Sequence, residues 1–88
     1  MEAEVTKKSL TALRRIEGQV RGVSRMVEED RYCIDVVTQI EAIRAALARV
    51  EADLLRQHLN HCVHEAFASK DTRARDKVID ELVDVFRR

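Results

Sequence analysis

The sequence contains no proline and no tryptophan, and it has only two glycines and three aromatic residues in 88. So little turn chemistry leaves no room for a series of short strands, and no stretch alternates as a half-buried strand would. Neither charge sign is in excess, with 16 basic and 16 acidic residues, so bulk charge gives no argument for a nucleic-acid partner. No apolar run is long enough to span a membrane, and the N-terminus is too polar for a secretion signal, so a cytoplasmic protein with no membrane partner is expected. A Gly-rich phosphate loop, a paired-carboxylate site and a Ser-His-Asp arrangement are all missing, which argues against an enzyme. The two cysteines stand 29 residues apart and cannot pair within one straight helix. Without a secretion signal, they point to ligand or redox chemistry in a reducing compartment.

What is present is helical. The stretch from Tyr32 to His64 lacks Gly and Pro, and it holds both cysteines and all three histidines. Cys33, Val36, Ile40, Ile43, Leu47, Val50 and Leu54 recur in alternating steps of three and four, the period of a coiled-coil-like seam. His58 and Cys62 are an i, i+4 pair and project from one face about one turn apart. Cys33 precedes His58 by 25 residues, roughly 37 Å along a continuous helix. The three side chains therefore cannot meet within one straight helix. They can meet if two copies pack antiparallel, Cys33 of one facing His58 and Cys62 of the other, with the crossing near Ala46 and Leu47. A buried cysteine and two ordinary helix-end residues are the alternative.

A first helix is expected over Val5–Glu29, with Leu10, Leu13, Ile16, Val20, Val23 and Val27 as its apolar stripe. Thr6 is a candidate cap for its first turn. Glu28, Glu29 and Asp30 suit a helix C-terminus poorly and fit better as the N-terminal cap of the next helix, after a short turn near Asp30-Arg31. Lys7, Lys8, Arg14, Arg15, Arg21 and Arg25 cluster on this helix against Glu17 alone. Such a face is either a phosphate-binding surface or a solvated one. Arg49, near the crossing, would extend it towards the centre of a dimer. Gly18 and Gly22 form GxxxG, which admits a neighbouring helix or a DNA backbone, or marks tolerated surface glycines; the charged flanks rule out a membrane dimer motif. After a loop following Phe67, Asp71 or Thr72 can cap a third helix running from about Arg73 to Arg88, with Val78, Ile79, Leu82, Val83 and Phe86 apolar. It is too short to be stable alone. Length and pattern together predict a single all-α domain over residues 1–88, a three-helix protomer with a long central helix. Its apolar excess, 45% of the chain, is most simply buried by self-association.

Two thiolates and an imidazole form a soft ligand set. It selects Cu(I), which three donors satisfy, or Zn(II), which wants a fourth. His61 and His64 fan around the helix and cannot easily join one site together.

The run RRIEGQVRGVSRMVEEDRYCIDVVTQIEAIRAAL, followed by HLNHCV, closely resembles the CsoR/RcnR family of bacterial metal- and electrophile-responsive repressors. The resemblance extends from about Leu10 to Phe86, and Cys33, His58 and Cys62 look like the ligand set of its Cu(I)-sensing branch. It implies an antiparallel all-α dimer assembling into a dimer of dimers, a homotetramer without a helix-turn-helix. The apo form is expected to bind operator DNA and repress copper-efflux genes, and Cu(I) bridging two protomers to release it. It further implies roles behind the ligands for Tyr32 and for Glu81 in IDELVDVF, and DNA contacts from the helix-one group around Arg14 and Arg15 and from Arg49; Arg21, on the same side of the helix as Arg14, is a further DNA-binding candidate. Nickel and cobalt sensors of the family use an additional N-terminal His, formaldehyde sensors lack the third-position Cys, and persulfide sensors lack the His; this chain has no such early His and keeps both His58 and Cys62. A sensor of nickel or of a thiol-reactive species, a copper store that does not bind DNA, and a small enzyme using Cys62 are the other readings. Operator binding separates a repressor from a store, and turnover identifies an enzyme.

Overall fold

The structure is a computed structural model and describes residues 2–63, 65, 68 and 72–88, the side chains of Cys62 and Val63 excepted. Three α-helices account for most of it: α1 over Ala3–Glu28, α2 over Cys33–His58 and α3 over Thr72–Arg87, with a π-helical turn, Leu59–Val63, directly after α2. No strand occurs among the described residues. The chain divides into two compact units, Met1–Leu54 and Leu55–Arg88.

In the first unit, α1 and α2 form an antiparallel hairpin. Its core is Ile16, Ile43 and Val50, with Ala12, Val23, Ala46 and Leu54 packed around them. Burying each of the three large side chains is worth ~1.5–3 kcal/mol. The inward seam of α1 is therefore Ser9, Ala12, Ile16, Gln19 and Val23, in steps of three and four. This differs from the stripe expected by hydropathy. Ile16 and Val23 do face α2, whereas Leu10, Leu13, Val20 and Val27 stay 38–63% exposed. On α2, Ile43, Val50 and Leu54 face inward, while Ile40 and Leu47 are 42% and 44% exposed. Ser9 is buried, and the Oε1 of Gln19 is buried without a hydrogen-bond partner among the described residues, a cost of ~1–3 kcal/mol.

The turn between the helices is set by backbone hydrogen bonds. The N–H of Asp30 donates to the Val27 carbonyl (3.1 Å) and that of Arg31 to the Met26 carbonyl (2.9 Å). These are the two bonds of a Schellman C-cap, and Asp30 takes the left-handed conformation it needs, at φ 55°. The acidic cluster thus ends α1 and does not cap α2, a correction to the sequence reading. The first turn of α2 instead bonds to the Tyr32 carbonyl, which accepts from Asp35 and Val36. Thr6 is not a cap either: α1 begins earlier, at Ala3, and the Thr6 N–H donates to the Glu2 carbonyl.

In the second unit, α3 packs against the π-helical turn and buries Val78. Ile79, Val83 and Phe86 remain exposed, Phe86 at 78%. Thr72, the other candidate cap, is the first residue of α3 and not its cap; Asp71 and all of the expected loop after Phe67 except Ala68 lie outside the described residues.

Candidate functional site

Cys33 is the first residue of α2, exposed and with a free thiol. Tyr32, immediately before it, is exposed at its side chain and holds the helix start through its carbonyl. His58 is the last residue of the same helix. Its Nε2 lies 3.5 Å from the Glu81 carboxylate of α3, both side chains about half exposed. A carboxylate this close to Nε2 restrains the imidazole and leaves Nδ1 as a second nitrogen donor.

Four residues later, Cys62 falls in the π-helical turn and not in a continued α-helix. Bonding i→i+5 puts more residues in each turn than the α-helical 3.6, so a four-residue step ends just short of a full turn and not just past it. The Cys62 side chain and His64 lie outside the described residues. His61 turns to Glu65, at 3.8 Å, which fits an ordinary helix-end histidine. Among the described residues, no three of His, Cys, Asp and Glu gather closely enough to hold a metal.

A second feature lies wholly in the α1–α2 hairpin. Lys8, Arg15 and Gln19 of α1 and Arg49 and Asp53 of α2 line a groove of about 480 Å³. Small residues make its floor: Ala12, Ala42 and Ala46 keep the helices' own side chains out of it. Arg15 and Arg49 form no ion pair among the described residues, whereas Lys8 meets Asp53 at 3.6 Å. Arg14 and Arg21 are not part of the groove; Arg21 leans on Glu17 at 4.0 Å. The basic residues singled out in the sequence therefore separate into two sets, Arg15 and Arg49 together, Arg14 and Arg21 elsewhere on α1.

The sequence reading missed Gln19 and Asp53 as groove residues and left Lys8 in an undivided cluster. The spacing held a signal for two of them: Lys8 and Arg15 are seven apart, and Arg49 and Asp53 four apart, so each pair shares a helix face. Gln19 carried no such mark, since an uncharged residue inside an amphipathic helix looks like surface. Gly18 and Gly22 have open space around them, with nothing within 4 Å of where a Cβ would stand, so packing within one chain does not require either glycine.

The groove and the exposed apolar residues fall on opposite sides of the hairpin. On α1, Ala12, Arg15 and Gln19 lie to one side of Ile16, and Leu13, Val20 and Val27 to the other. On α2, Ala42, Ala46 and Arg49 lie to the groove side of Val50, and Cys33, Ile40 and Leu47 to the other. No helix among the described residues is long and apolar enough to cross a membrane.

A family model described as a metal-sensitive transcriptional repressor matches residues 5–88. The copper-sensing transcriptional repressor CsoR of Bacillus subtilis is 50% identical over 76 residues, 86% of this chain and 72% of that protein. The copper-sensing transcriptional repressor RicR of Mycobacterium tuberculosis is 51% identical over 75 residues, 85% of this chain and 78% of that protein. Among solved structures, the copper-sensing repressor CsoR with Cu(I) from Geobacillus thermodenitrificans is similar at a TM-score of 0.87 and 45% identity, covering 99% of this chain and 88% of that one.

Proposed function

The chain belongs to the family of metal-sensitive transcriptional repressors, and from that premise we propose that it is a copper(I)-responsive repressor acting as one domain over residues 1–88. The apo protein binds operator DNA, and Cu(I) lowers that affinity and derepresses copper-efflux genes. The observation that carries this reading is the Cys33, His58 and Cys62 set in a chain about half identical to copper-sensing repressors.

Cys33, His58 and Cys62 would hold the metal; two thiolates and one imidazole suit Cu(I). Cys33 of one protomer and the partner subunit's His58 and Cys62 would share the ion, which would then supply a link between the two chains. Glu81 orients His58, and Tyr32 fixes the backbone that presents Cys33. The apolar side of the hairpin, with Leu13, Val20, Val27, Ile40 and Leu47, is the surface for the second copy. Ala46 is already used against α1, so the antiparallel contact runs through Ile40 and Leu47. Two such dimers form the tetramer. DNA is met by Arg15 and Arg49 in the groove, with Arg14 and Arg21 adding charge from the back of α1. Because α1 carries cations on one side and packs on α2 with another, a small shift of α2 changes how the groove fits a duplex. A binding role of this kind needs no catalytic group, and the cytoplasm is where it operates.

The test is titration of the reduced protein with Cu(I), Ni(II) and Zn(II) in the presence of operator DNA. Release by Cu(I) at the lowest free metal concentration is expected. Release by Ni(II) alone would make it a nickel sensor, and absence of DNA binding under all conditions would leave a copper store.

A further inference from the structure

The groove contains one anion among its cations. Asp53 reaches Lys8 at 3.6 Å, its side chain 40% exposed and that of Lys8 78% exposed, while Arg15 and Arg49 in the same groove have no acidic partner among the described residues. An exposed pair of this kind adds little to stability. It does decide how many positive charges the groove offers. We infer that Asp53 sets the ceiling on DNA affinity: it occupies Lys8, which would otherwise be a third phosphate contact beside Arg15 and Arg49, and its own charge repels the phosphates those arginines bind. This rests on the reading of the groove as a nucleic-acid surface.

A limit on affinity has a use in a metal-released repressor. Coupling between two sites typically changes affinity by about 5–150-fold. Release is complete only if the apo affinity stands no further above the level needed for occupancy than that factor. Asp53 keeps it within range. A tighter groove would repress well and respond poorly.

The experiment measures binding of the full-length protein to a mixed-sequence duplex of roughly 30 base pairs, about three helical turns, over a series of salt concentrations. Sequence-independent binding reports the phosphate contacts directly. Wild type, Asp53→Asn, Lys8→Met and Arg49→Ala are compared, with circular dichroism to verify helix content. Asp53→Asn is expected to bind about threefold or more tightly, with a plot of log K against log salt steeper by about 0.9 for each groove engaged. Lys8→Met is expected to weaken binding by less than Arg49→Ala does, since the lysine it removes makes no phosphate contact and its loss only leaves Asp53 unneutralised, and to cancel part of the gain when combined with Asp53→Asn. Unchanged or weaker binding by a folded Asp53→Asn overturns the inference. So does a Lys8→Met that loses as much as Arg49→Ala, a result that also decides the matter if Asp53→Asn does not fold. The Arg49→Ala arm tests the underlying reading separately. If Arg49→Ala binds as wild type does, the groove is not the nucleic-acid surface; if it weakens binding and Asp53→Asn does not tighten it, only the role of Asp53 is wrong.

Discussion

The two sides of the α1–α2 hairpin are built from the same helices and differ in almost every other respect. One side has a floor of alanines and walls of Lys8, Arg15, Arg49 and Asp53. The other has large aliphatic side chains left 38–63% exposed at Leu13, Val20, Val27, Ile40 and Leu47, and Cys33 stands at its edge. Small residues under long cations make a concave polar surface that a phosphate backbone can approach. Exposed leucine and valine at helical spacing make a surface that water disfavours and another helix pair would cover. A two-helix layer so divided can carry a partner on each side and transmit strain between them through its three-residue core of Ile16, Ile43 and Val50.

The comparison is broken most severely by placing a charge on the apolar side. Leu47→Glu would bury an unpaired carboxylate in each copy of the proposed interface, at ~3–5 kcal/mol apiece. Sedimentation should show the assembly lost, and copper should no longer affect DNA binding. A Leu47→Glu protein of wild-type size would mean that this side is not the interface.

Next come the proposed ligands, Cys33 at the edge of that side and His58 at the other end of α2. Cys33→Ala would remove the proposed inter-protomer link, and the whole copper effect on operator affinity, ~1–3 kcal/mol, should vanish. His58→Ala should be more selective, retaining substantial Cu(I) on the two thiolates yet losing most of the release from DNA. The check is operator affinity with and without Cu(I) under reducing conditions. Full copper release by Cys33→Ala would rule out the bridged site.

On the opposite side, Arg15→Ala and Arg49→Ala should each weaken operator binding by about tenfold or less. Each should also flatten its salt dependence, by about one unit of slope for every phosphate no longer neutralised. Arg14→Ala and Arg21→Ala, outside the groove, should have smaller effects. Equal weakening at all four positions would mean that the charge of α1 matters and the groove does not.

The smallest effect should come from a residue on neither side. Asp30 holds the left-handed position of the Schellman turn, where glycine is free of the Cβ penalty. Asp30→Gly should raise stability by less than about 1 kcal/mol, the relief of the left-handed penalty being partly offset by the unfolded-state freedom glycine adds, seen as a slightly higher thermal midpoint, with DNA binding and copper response unchanged.

Much of this architecture was legible beforehand. The α1 and α3 boundaries fall within two residues of those expected, because Pro is absent and the apolar period is unbroken. The approach of Glu81 to His58, at 3.5 Å, could not be read from spacing, because it depends on how the third helix packs. Less legible was which part of each apolar stripe faces inward. Leu13 and Ile16 are equally apolar, and only the neighbouring helix decides between them; the actual seam runs through Ser9, Ala12 and Gln19, which hydropathy scores low. The Schellman turn at Asp30 was missed because acidic residues are read first by charge, and here the backbone conformation matters more. The π-helical turn after His58 leaves no compositional trace, since it concerns which carbonyl each N–H finds.

The thinness of the single-chain core has a consequence for the amount of protein in a cell. Among the described residues only Ile16, Ile43, Val50 and Val78 are buried hydrophobics, and a chain that relies on a second copy for the rest is stable only in proportion to how often it meets one. A newly made chain at low abundance would be open to proteolysis, and one made into an existing pool would be protected. The repressor's lifetime would then rise with its own concentration, and a halved gene dose would lower its level by more than half.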